Sequence, residues 1–172
     1  MKTLKLILKI LGALIVLLLC SFIVYCLIYS QEVIEPFEVN SPDLETKVLV
    51  ASQGSDFKHV LLKELTERID KKDIYIKVID VTTLSGIKEE SWDAIILINT
   101  IEWYRLHKDV RIFLNSAQDT DKIIMLATSG DGDMKPKVCR IDTITSASKL
   151  NKADEKLKII LSKLESILGM EF

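Results

Sequence analysis

The chain has 172 residues, 48% of them hydrophobic, with a formal net charge of −2. Lys2, Lys5 and Lys9 are the only charged side chains before residue 30, so the remainder carries −5. An acidic domain is a poor nucleic-acid binder, because such binding rests on neutralising phosphates. Three cysteines and two histidines are too few, and too far apart, for a zinc site or a disulfide framework.

Ile10–Tyr29 contains no charged residue and, as a helix, matches a bilayer core of about 30 Å. Residues 1–29 therefore read as one transmembrane signal anchor. No short apolar core with a small-residue cleavage site is evident, and Leu19 and Tyr25 precede Cys20 and Cys26 where a lipoprotein signal needs a small residue. Lysines lie before the span, and only carboxylates follow it until Lys47. The positive side stays in the cytoplasm, so the soluble domain is expected outside the cell membrane.

Residues 30–45 read as a linker, interrupted by Pro36 and Pro42. Residues 46–172 read as one domain. Lys47–Ala51 is a short strand. Ser52, Gln53, Gly54, Ser55 and Asp56 form a polar loop, and Phe57, Val60, Leu61, Leu62 and Leu65 give the next segment a helical stripe with Ser55 or Asp56 as its cap. Such a turn aims backbone N–H groups and a helix N-terminus at one point, where an anion can sit.

Ile74–Asp80 is a second strand and Asp93–Asn99 a third, whose unbroken apolar run suits a strand covered on both faces. Between them, Val81–Ser91 is too short for a long helix. Val110–Ser116 belongs to a helix. Lys122–Thr128 is a fourth strand, closed by Ser129–Asp133, and Lys137–Ile141 is a weaker fifth. Asp142–Lys149 is a polar cluster, read as turn and cap, with hydroxyls that could also meet a ligand. Ala153, Leu157, Ile160, Leu161, Leu164, Ile167 and Leu168 form the stripe of a last helix, capped by Gly169. Alternating strands and helices with right-handed crossovers predict a three-layer α/β sandwich on a parallel sheet.

Four features of residues 46–169 resemble the flavodoxin-like family: the strand with Ser52–Asp56, like a phosphate loop; Trp92–Leu97 with Asn99–Tyr104, like the third strand and its flavin-side loop; Lys122–Thr128 with Ser129–Gly132, like the fourth; and the soluble length. The resemblance implies a flavodoxin-like sandwich that binds FMN. Its phosphate would lie on Ser52, Gln53, Gly54, Ser55 and Asp56. Its ring would stack on Trp103 or Tyr104, with Thr100, Thr128, Ser129 and Gly130 along the edge. The activity implied is that of an FMN-dependent electron carrier or reductase at the membrane, working with a redox partner protein.

Two positions depart from that pattern. Gln53 replaces a common hydroxyl, and Asp56 puts a carboxylate where a phosphate dianion would be repelled, unless it turns back to cap the helix. The competing expectation is a cofactor-free domain that acts as a membrane-tethered interaction module. Asp131 and Asp133 lack the further oxygen ligands of a calcium site. No Walker loop, HExxH or G-x-S-x-G motif is present.

Overall fold

The structure, a computed structural model, describes residues 2–29, 31–137 and 141–172. The chain divides into two compact units, Met1–Gln31 and Glu32–Phe172. The first is the helix α1 (Lys2–Tyr29). Its stretch Thr3–Tyr25 has 23 residues and is long and apolar enough to cross a membrane. At 1.5 Å per residue it measures about 34 Å.

The second unit is a six-stranded sheet between two layers of helices. Its elements are β1 (Phe37–Val39), β2 (Thr46–Ser52), α2 (Asp56–Ile69), β3 (Ile74–Asp80), β4 (Ala94–Thr100), α3 (Lys108–Ser116), β5 (Ile123–Ser129), β6 (Thr143–Ala147) and α4 (Ala153–Leu168). The strand order is β1-β3-β2-β4-β5-β6. All neighbours from β3 to β6 run parallel, and β1 is antiparallel to β3. Counting the parallel strands alone, the order is 2-1-3-4-5, that of flavodoxin-like sheets. The fold expected from the sequence is therefore the fold observed.

Period-two alternation sorts the core. Val48, Val50, Ile76, Val78, Ile96, Ile98, Ile124 and Leu126 pack with Leu61, Leu65, Leu157, Ile160 and Leu164 of α2 and α4. Leu49, Ala51, Ile79, Ile95, Leu97, Met125 and Ala127 face the other way, toward Leu84 and toward Val110 and Phe113 of α3. The central strands bury both faces, which explains their unbroken apolar runs.

Several boundaries differ from the sequence reading. Ser52, Thr100 and Ser129, read as loop residues, end β2, β4 and β5. Val81–Ser91 forms two 3-10 turns, Val81–Gly86 and Glu89–Ser91. The expected fifth strand over Lys137–Ile141 falls largely on residues 138–140, outside the described residues. The last parallel strand is instead β6, inside the cluster read as turn and cap. Its Ile144 and Ser146 are buried while their neighbours are half-exposed, the pattern of an edge strand. The segment read as linker contributes β1 and the buried Ile34. α4 ends as expected, on Gly169 at φ 67°.

Candidate functional site

Open parallel sheets bind ligands beyond the carboxyl ends of their strands, where neighbouring crossovers leave on opposite faces. Here that place is the end of β2 and β4. The chain leaves β2 into α2 on one face, and the connection after β4 returns through α3 on the other. Ser52 pairs with Ile98, and Thr100 with Thr128, so the expected loops do meet at one end of the sheet.

The polar groups there are spent on one another. Gln53, 8% exposed, accepts from the Thr100 N–H through Oε1 at 2.7 Å, while its own N–H donates to the Ile98 carbonyl. The Ser52 hydroxyl donates to the Gln53 carbonyl at 2.8 Å. Ser55 caps α2, accepting from the Lys58 N–H, so Asp56 is not the cap but the first helical residue, exposed and well placed against the helix dipole. Thr128 is buried, and its hydroxyl lies 3.2 Å from that of Thr100. The Ser129 hydroxyl donates to Asp131 and accepts from the Gly132 N–H, which closes the β5 loop on itself. That contact holds the exposed Asp131 carboxyl below its usual range. Gly130 is exposed.

Lys58 occupies the middle of this corner. It extends from the first turn of α2 and is fully buried, with Nζ 2.6 Å from the Thr100 hydroxyl. Burial pulls its ammonium down to about 7, partly opposed by the nearby carboxylates of Asp80 and Glu102. The sequence carried a signal for it. Lys58 precedes Leu61, Leu62 and Leu65 by three, four and seven positions, so it lies on the buried stripe of its helix.

A strap, Glu32–Ile34, crosses the loop. The Gly54 N–H donates to the Glu32 carbonyl at 2.6 Å, and the two residues form an isolated antiparallel bridge. A Cβ at position 54 would lie 2.6 Å from the Glu32 Cβ, so only glycine permits this approach. The strap is pinned twice more. The Ile34 N–H donates to Asp80 Oδ2 at 2.9 Å, and Glu32 meets His59 across the strap at 3.1 Å. Asp80 Oδ1 also accepts from the Thr82 N–H and hydroxyl.

FMN can be tested against this arrangement. A phosphate dianion needs converging N–H donors with room before them. The Gly54 donor is already taken, and the Glu32 backbone fills the space in front of it. The loop as folded does not fit a phosphate at Gly54. A cleft of about 540 Å³ does open beside it, but of the loop residues only Gln53 borders it, together with Thr100, Glu102, Trp103, Arg105, Leu106, His107 and Lys108.

The aromatic pair sits on the turn after β4, where Trp103 borders the same cleft as Gln53 and Thr100. Glu102 and Arg105 exchange backbone hydrogen bonds at 3.1 and 2.9 Å, closing a two-residue turn over Trp103 and Tyr104. Both have positive φ, 51° and 62°. Such turns favour Asn-Gly, and a side chain there costs roughly 1–2 kcal/mol per residue. The turn leaves Trp103 87% exposed. Asn99 steadies the loop by accepting from the His107 N–H. Lys137 lies 5.4 Å from the Tyr104 ring centre.

Fold and site together define a flavodoxin-like domain whose expected phosphate corner is closed by its own chain. No protein-family model matches the chain, and no curated protein does. Among solved structures, a flavodoxin from the domain Archaea is similar at a TM-score of 0.49 and 12% identity, over 71% of this chain and 99% of that one. The strand order, rather than this likeness, carries the assignment of fold.

Proposed function

We propose that this chain is a cofactor-free, membrane-tethered interaction module. α1 acts as its single-pass anchor, with the flavodoxin-like domain outside the cytoplasmic membrane. The observation that carries the reading is the Glu32–Gly54 bridge, which occupies the corner where a flavin phosphate would bind. The contacting element is the turn Glu102–Arg105, because strain held at an exposed aromatic is a mark of use. Fold alone does not separate a carrier from a scaffold, so the reading rests on the site.

FMN-dependent electron transfer with a redox partner is the second reading. It is favoured by the cleft bordered by Gln53, Thr100 and Trp103 at the ligand-binding end of the sheet. The absorbance spectrum of the full chain, purified in mild detergent, tests the first reading. A colourless protein is expected. A yellow one, with the two-banded spectrum of an oxidised flavin, overturns it.

A further inference from the structure

Beside the Trp103 turn lies a groove of about 300 Å³ whose lining includes Trp103, Tyr104, Arg105, Arg111 and Lys137, and no carboxylate. The three cations are exposed, and among the described residues none is in an ion pair. This is an unusual patch on a part of the chain that carries −5. The patch attracts an anionic surface while the rest of the domain is repelled by it, so the pair of forces orients the domain. Tryptophan and tyrosine prefer the headgroup level of a bilayer, where the ring is half in hydrocarbon and its polar edge half in water.

We infer that Trp103 and Tyr104, with Arg105, Arg111 and Lys137, form a docking surface for anionic lipid headgroups. The occupant follows from two observations. The charge of the groove is complementary to an anionic bilayer. The same chain also carries Thr3–Tyr25, apolar enough to cross one, and only residues 30 and 31 separate α1 from the strap. A domain tethered this way meets the bilayer surface at high effective concentration, so three weak charge contacts suffice. Each basic side chain near an anionic leaflet contributes about fivefold, and the three together on the order of 10²-fold.

The inference rests on the tethered reading above, but its test contains no flavin, so the two fail separately. The full chain is reconstituted into symmetric vesicles of phosphatidylcholine, with or without phosphatidylglycerol, some of the lipid brominated on its acyl chains. The chain has two tryptophans, and Trp92 is stacked on Tyr75. Subtracting the emission of a Trp103→Phe variant therefore isolates Trp103. The expected result is quenching of Trp103 by bromolipid that is several-fold stronger with phosphatidylglycerol. It should be lost in the Arg105→Glu, Arg111→Glu, Lys137→Glu triple variant, whose circular dichroism stays that of the wild type. Trp103 left unquenched on both vesicles, which leaves the surface to a protein partner, overturns the inference. Equal quenching on both vesicles, with no dependence on lipid charge, overturns it as well.

Discussion

Asp80→Ala is expected to destabilise the domain by on the order of 3 kcal/mol and to release the strap. The Asp80 carboxylate is 4% exposed and accepts three hydrogen bonds, from the Ile34 N–H, the Thr82 N–H and the Thr82 hydroxyl. Alanine leaves the buried Ile34 N–H without its acceptor, at about 1–3 kcal/mol where water cannot reach it. It also removes the bond to the exposed Thr82 N–H that caps the turn Val81–Gly86, worth about 1 kcal/mol. Against a typical domain stability of about 5–15 kcal/mol, this is a large fraction. Asp80→Asn keeps one acceptor oxygen and should fall between. Urea unfolding reads the stability, and amide exchange at Ile34 and Gly54 reads the strap. A wild-type unfolding midpoint with slow exchange at Gly54 would show that Asp80 does not hold the strap.

Lys58→Met is expected to flatten the dependence of stability on pH between about 7 and 10. The buried Lys58 amine is pulled down to about 7, against an ordinary lysine value near 10.4 in the unfolded chain. Between those two values the unfolded chain holds the extra proton, so the unfolding free energy of the wild type rises with pH across this window. The penalty of burying the ammonium is present in full below pH 7 and is relieved by pH 10. At about 1.36 kcal/mol per unit, the rise reaches at most about 4 kcal/mol. Methionine fills a similar volume and carries no proton, so its curve should lack the rise. The window stops at 10 because Tyr75, buried and held up at about 12, reverses the slope above it. Urea titrations at half-unit intervals of pH check both curves. A wild type as flat as the variant would mean that Lys58 is solvated in the folded state.

What the sequence revealed followed from local chemistry. β2, β3, β4 and β5 were visible as apolar runs because both their faces are buried, and α4 because one face is. β6 was hidden because an edge strand buries one face only, and Thr-Ile-Thr-Ser-Ala supplies it with a single large apolar side chain. β1 was hidden by its three-residue length and by the preceding Pro36. The meeting of Ser52, Thr100 and Thr128 was legible, since parallel topology forces strand ends to one side. The closure was not. Ile34 reaches Asp80 across 46 residues, and Glu32 reaches Gly54 through backbone atoms that leave no mark on residue type. Lys58 was legible by position and concealed by its charge.

In the proposed reading the strap, and not the charge of Asp56, shuts the corner at Gly54 to a phosphate. Isothermal titration of the detergent-purified full chain with FMN, run beside an Asp56→Thr variant, tests it most directly. If the carboxylate alone kept FMN away, threonine would remove the repulsion and supply a hydroxyl, and the variant would bind. With Glu32 seated on Gly54, neither protein should take up FMN even at millimolar concentration. Saturable binding of FMN by either one, weaker for riboflavin because it lacks the phosphate, would show that the strap does not close the corner.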